Sequence, residues 1–210
     1  MLAGIVAACL FVGAGTLRYW QGWVFVAFLY ATMTAANTYL LKTAPALLAR
    51  RLTSNRETDP VQRVVRTLMS LSAMALFLVS GVDRRAGWSH VPLAGVVLGQ
   101  CGMMLGALVV FLVLRENRFA AVVVEVQAEQ RVVETGPYGW VRHPMYSGAL
   151  CQAVFAPLAL GSYWAEVVVA PAIAAVVVRL LAEERLLGQE LPGYAAYMKK
   201  TRFRLVPGMW

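Results

Sequence analysis

The stretch AGWSHVPLAGVVLGQCGMMLGALVVFLVL fills residues 86–114 and contains no Lys, Arg, Asp or Glu. A helix rises about 1.5 Å per residue and a bilayer's hydrocarbon core is about 30 Å thick, so roughly 20 apolar residues suffice to cross it. This run is long enough, and without water its backbone polar groups can be satisfied only by helix formation. Within it Gly95, Gly99, Gly102 and Gly106 recur at steps of four, three and four. That spacing puts all four on one helical face and marks the face for close packing against another helix.

On the N-terminal side, charge-free runs at about 2–17, 19–41 and 67–82 predict three more helices. On the C-terminal side, an apolar region from about 148 to 182, interrupted by Gly161 and Glu166, predicts a hairpin of two shorter helices. The expected fold is therefore an all-α integral membrane bundle of five or six transmembrane helices. Composition agrees, because 60% hydrophobic and 14% charged residues in a 210-residue chain exclude both a soluble globular protein and a disordered one. The first run lacks a basic leader and is followed by Arg18, Tyr19, Trp20 and Trp23, an interfacial aromatic cluster, so it reads as a spanning helix rather than a cleaved signal peptide. Cys9, Cys101 and Cys151 lie far apart in apolar runs with no spacing suited to zinc or a disulfide framework; they read as small buried hydrophobes, and no metal is expected.

The formal net charge is +8, yet the basic residues sit between apolar runs, which argues against nucleic acid as a partner. Lys and Arg number six in 42–66, four in 115–147 and six in 179–204, whereas the alternate gaps hold only Arg18, Arg84 and Arg85. This bias predicts that both termini and the first three of those segments face the cytoplasm. The 42–66 segment reads as a polar connection with a turn at Pro60.

The densest group of unusual residues is Thr135-Gly136-Pro137-Tyr138-Gly139-Trp140-Val141-Arg142-His143-Pro144-Met145-Tyr146-Ser147-Gly148. Its prolines and glycines forbid a continuous helix, and irregular backbone at a membrane boundary is tolerated only where protein, water or a ligand covers it. A plain interfacial anchor of Arg, His, Tyr and Trp is the alternative. A second group follows: Arg179, Glu183 and Glu184, then Gly193, Tyr194, Tyr197, Lys199, Lys200, Arg202 and Arg204. Arg179 and Glu183 are four apart and share a helix face. Charge costs roughly 2.5–3.5 kcal/mol per residue at a membrane helix centre and less toward its edge, so such a pair marks either a site or an ion pair reaching toward the interface. Both groups fall at the same end of adjacent segments and can close over one pocket.

The ordered set Gly136-x-Tyr138-x-x-x-Arg142-His143-Pro144-x-Tyr146-x-Gly148, then Arg179-x-x-x-Glu183-Glu184, then Gly193-Tyr194-x-x-Tyr197 resembles the isoprenylcysteine carboxyl methyltransferase family of membrane enzymes. The resemblance covers roughly residues 115–205, dividing the chain into N-terminal transmembrane helices (1–114) and a methyltransferase-like C-terminal region (115–210). It implies S-adenosylmethionine as cofactor, contacted by Gln127, Gln130, Arg131, Val132, Val133, Tyr138, His143, Pro144, Met145, Tyr146 and Glu183. It also implies that Arg179 holds the acceptor's carboxylate, the acceptor being a prenylated or otherwise lipophilic molecule entering from the bilayer lipid. The residue types suit that chemistry: sulfonium and ammonium groups favour a carboxylate and aromatic faces, and adenine favours apolar walls. The chain departs from eukaryotic members in a shorter segment between Gln127 and Gln130 and in fewer acidic residues before Glu183.

Three other readings compete. Membrane sterol and steroid reductases carry a similar Arg-His-Pro-x-Tyr element and use NADPH, but tend to have Asn and an acidic residue where Met145 and Ala149 stand, and no arginine cluster for a ribose phosphate is evident here. A phospholipid amine N-methyltransferase is the second. A non-catalytic transporter or scaffold is the third, disfavoured because the charges gather at one end instead of along a midplane path.

Overall fold

The computed structural model describes residues 2–53, 59–120 and 130–210. The described residues form helices α1 (Leu2–Ala14), α2 (Trp20–Thr43), α3 (Pro45–Thr53), α4 (Pro60–Ala86), α5 (Leu93–Glu116), α6 (Pro144–Leu160), α7 (Trp164–Val167), α8 (Val169–Glu190) and α9 (Tyr194–Lys200), with a 3-10 turn at Gly136–Gly139 and no strand among them. The protein is an all-α membrane protein. Four stretches are long and apolar enough to span a bilayer: Trp20–Thr43, Pro60–Ala86, Leu93–Glu116 and the nearly continuous Trp164–Glu190.

Five or six spanning helices are expected from the sequence; four are long enough among the described residues, and α1 and α6 are the shorter apolar helices beside them. The second arm of the C-terminal hairpin runs full length, whereas α1 has 13 residues and at about 1.5 Å each is only about 20 Å long. Gly161, at φ 75°, ends α6 as a left-handed cap and turns the hairpin. Helix α4 outruns its charge-free core at both ends. Asp59 caps its first turn by accepting from the Val61 and Gln62 N–H groups, Pro60 takes the first helical position where no N–H is required, and Arg84 and Arg85 sit at the negative end of its dipole. The turn foreseen at Pro60 is thus a helix start, and the 42–66 segment contains α3.

Helices α5 and α6 form the most extensive interhelical contact. A Cβ on Gly99 would stand 2.3 Å from the Ala159 backbone nitrogen, and one on Gly102 would enter the Phe155 ring at 2.2 Å. Gly106 likewise lies against Gly148 and Gln152. Gly95 does not join them: its nearest neighbour is Val91, in the loop leading into α5. Outward-facing Val97, Leu98, Met104, Leu105 and Leu108 are exposed, as residues meeting lipid should be. Cys101 is exposed with them and Cys9 and Cys151 are only partly covered. The expectation of buried cysteines is therefore not met; these thiols lie on helices whose outer surface is itself apolar. Gly13 and Gly81 give α1 and α4 a second close crossing, and Leu10, Tyr19, Phe25, Leu76, Met103 and Leu160 fill the core between them.

The end of the bundle holding Arg18, Arg84 and Arg85 is closed by a polar knot. Asp83, 1% exposed, accepts from the Ser89 N–H at 2.8 Å and the Ser89 hydroxyl at 2.6 Å, and also from the Ser162 hydroxyl. Ser89 Oγ in turn accepts from the Tyr163 N–H at 2.9 Å, and the Tyr19 hydroxyl donates to the Leu160 carbonyl at 2.7 Å. These bonds tie the α4–α5 loop to the corner after α6.

Candidate functional site

The irregular backbone before α6 is covered by the C-terminal tail. The Arg142 and His143 N–H groups donate to the Phe203 and Arg204 carbonyls, each at 2.9 Å. The Arg142 side chain reaches the Thr201 and Arg202 carbonyls at 2.9 and 2.8 Å, and the Ser147 hydroxyl donates to the Leu205 carbonyl at 2.6 Å. Pro144 then begins α6 at a position that needs no N–H donor. Met145, Tyr146, Ser147 and Gly148 are consequently helical, and the irregular backbone runs through residues 130–143, with one 3-10 turn at Gly136–Gly139.

The adjacent glutamates on α8 meet different surroundings because neighbouring helical residues point about 100° apart. Glu184, 8% exposed, receives Arg142 Nε on Oε1 at 2.6 Å and Arg204 Nε on Oε2 at 2.8 Å, with His143 Nε2 3.3 Å from Oε1. This buried cluster fastens α8, residues 140–143 and the tail together. Glu183 instead faces a cavity of about 310 Å³ and accepts the Tyr146 hydroxyl at 2.6 Å.

That cavity is lined by Gln130, Arg131, Val132, Val133, Tyr138, His143, Met145, Tyr146, Arg179 and Glu183, residues singled out from the sequence. Pro144 is fully buried and does not line it, its place being fixed by its helix-starting role. Gln127 lies outside the described residues. Arg179, 5% exposed, has Nη1 3.3 Å from Gln62 Oε1 of α4. The Tyr138 hydroxyl accepts from Asn117 Nδ2 at 2.7 Å, and the Tyr197 hydroxyl donates to the Tyr138 carbonyl at 2.8 Å. Burial holds the Tyr138 phenol well above its ordinary range despite the Asn117 bond, and pushes Tyr197 up to about 12. The His143 and Tyr146 rings are 5.8 Å apart at 30°.

The N-terminal helices add lining that the motifs did not reveal. Arg51 of α3 and Arg66 and Met69 of α4 reach the cavity, as do Asn117, Leu187 and Tyr194. The expectation that no arginine cluster is present is therefore corrected: Arg51, Arg66, Arg131 and Arg179 share this lining. Arg51 is held by the Ala120 carbonyl at 2.9 Å. Gln62 and Arg66 fall in the 42–66 segment, read from the sequence as a polar connection, and only the extension of α4 back to Pro60 sets them on one helical face.

Fold and cavity define a helical membrane protein with a ligand-sized chamber at one end, walled by a carboxylate, arginines, aromatic rings and aliphatic side chains. Residues 94–191, from the start of α5 to the end of α8, match the family model described as phospholipid methyltransferase, a membrane methyltransferase family related to isoprenylcysteine methyltransferases. The match supports a membrane methyltransferase using a methyl donor. A search among curated proteins finds none that matches the chain.

Proposed function

We propose that the cavity binds S-adenosylmethionine and that the protein methylates the carboxylate of a lipophilic acceptor, an isoprenylcysteine or a molecule like it, drawn from the bilayer. The observation that carries this reading is the placement of Arg179 and Glu183, one turn apart on α8, against one cavity with Tyr138, His143 and Tyr146. S-adenosylmethionine supplies an electrophilic methyl group when bound. Glu183, Tyr138 and Tyr146 suit its cationic centres, Val132, Val133 and Met145 its apolar surface, and Gln130, Arg131 and His143 its polar rim; Gln127 belongs to the same set by resemblance, and Pro144 shapes the wall by starting α6.

Arg179 pairs with the acceptor's carboxylate through charge-assisted hydrogen bonds and fixes its orientation. A carboxylate is already ionised near neutral pH, so the site needs no general base. His143, with Nε2 directed at Glu184, serves as a wall. The bias of Lys and Arg toward this end of the bundle supports a cytoplasmic location for it.

The description of the family matched over 94–191 favours a second acceptor, a phospholipid amine, which must shed a proton before attack. The two are separated chemically: protein in detergent is given radiolabelled methyl donor with a synthetic S-prenylated cysteine or with phosphatidylethanolamine. Label that alkali releases as methanol identifies an ester; label stable to alkali on the lipid identifies an N-methyl product and overturns the carboxylate reading. Calorimetry with S-adenosylhomocysteine and NADPH sets the class, because comparable NADPH affinity would make the arginine-lined chamber that of a reductase.

A further inference from the structure

Two buried side-chain polar atoms lack a hydrogen-bond partner among the described residues, Gln21 Oε1 and the Tyr194 hydroxyl, and only Tyr194 lines the cavity. Tyr194 is 4% exposed, held by Leu187, Leu191 and Tyr197 around its ring. Gly193, at φ 87°, makes the turn that sets it there. The other cavity phenols are engaged: Tyr138 with Asn117, Tyr146 with Glu183, Tyr197 with the Tyr138 carbonyl. A buried hydroxyl without a partner is costly and uncommon, so one carried by a residue of the wall of a ligand-sized chamber points to a ligand atom as the missing partner.

The surroundings indicate which atom. Burial, then the nearby carboxylates Glu184 and Glu183, keep the Tyr194 phenol well above its ordinary range, so its oxygen is neutral and carries free lone pairs. Glu183 lines the same cavity. A group matching both a carboxylate and a neutral oxygen acceptor has several N–H donors and a positive charge. We propose that Tyr194 is a ligand-binding residue whose hydroxyl oxygen accepts a hydrogen bond from the primary ammonium of the amino-acid portion of the methyl donor, beside Glu183. This rests on the S-adenosylmethionine reading and extends the site into the tail, beyond the residues matched to the family model.

Tyr194→Phe removes one oxygen and keeps the packed ring, so it tests the claim without emptying the core. Calorimetry on the full-length protein compares S-adenosylhomocysteine with 5′-methylthioadenosine, which has the same nucleoside and no amino-acid portion. The variant is expected to lose about tenfold or more in affinity for S-adenosylhomocysteine and to bind 5′-methylthioadenosine as wild type does. Without ligand its melting temperature should not fall, since no protein hydrogen bond is lost. Unchanged S-adenosylhomocysteine affinity, or equal loss for both ligands, would overturn the ammonium contact while leaving the cofactor reading in place. Wild-type protein that binds neither molecule would overturn both.

Discussion

The two ends of the bundle are built from similar materials to opposite effect. At the end with Arg18, Arg84 and Arg85, the buried carboxylate of Asp83 is bonded to Ser89 and Ser162 and joins two loops. At the other, one carboxylate, Glu184, is consumed in the same structural way by Arg142 and Arg204, while its neighbour Glu183 is turned into a chamber. Buried charge is costly wherever it stands, so its partners reveal its purpose. Where protein groups surround the charge, as at Asp83 and Glu184, it holds the fold; Glu183, partly buried and bonded to Tyr146, adjoins a chamber and an unpartnered phenol, and the proposal gives it a ligand.

The contrast predicts a graded set of outcomes. Largest is Glu184→Ala, which leaves Arg142 buried without its carboxylate and is expected to cost about 3–5 kcal/mol, lowering the melting temperature and detaching the tail from residues 140–143. Protease sensitivity of residues 201–210 checks the second effect. Asp83→Ala should cost somewhat less, about 3 kcal/mol, by stranding the Ser89 and Ser162 hydroxyls. Ligand affinity per folded molecule should be unchanged, and a fall in affinity at preserved folding would break the division between the ends. Tyr197→Phe removes a single bond to the Tyr138 carbonyl and is expected to cost about 1 kcal/mol. Its pH dependence sharpens the point. With the folded pKa raised to about 12 from 10, Tyr197 contributes stability that is full below pH 10 and is lost as pH rises through 12. Melting temperatures measured between pH 9 and 12 should therefore fall less steeply for Tyr197→Phe than for wild type.

Hydropathy and charge spacing disclosed the helices because lipid imposes a simple rule on every spanning residue. The glycine face of α5 was legible for the same reason of periodicity, at Gly99, Gly102 and Gly106; Gly95 shares the period but lies beyond the reach of α6. Helix α4 extends past its apolar run because Asp59 and Pro60 start it and Asp83 finds hydroxyl partners, facts of pairing that a charge-free window cannot register. At the site, the residues around His143 and those on α8 were visible as clusters. The contributions of Gln62, Arg51 and Arg66 were not, since they depend on how α4 lies against α8 and on the bond from Arg51 of α3 to the Ala120 carbonyl beyond α5. The division of Glu183 from Glu184 depends on Arg142, 42 residues from Glu184 in the chain, and only the folded tail shows that Arg204 completes the pair.

In the proposed function Glu183 and Arg179 serve different ligands in one chamber. The most direct test of that division is S-adenosylhomocysteine titration of Glu183→Gln and Arg179→Ala beside thermal unfolding of each. Glu183→Gln should weaken ligand binding by about tenfold or more at nearly unchanged melting temperature, whereas Arg179→Ala should bind almost as wild type and transfer no methyl group. Equal loss of melting temperature in both variants, with binding reduced only in proportion to unfolding, would show a structural pair and contradict the account.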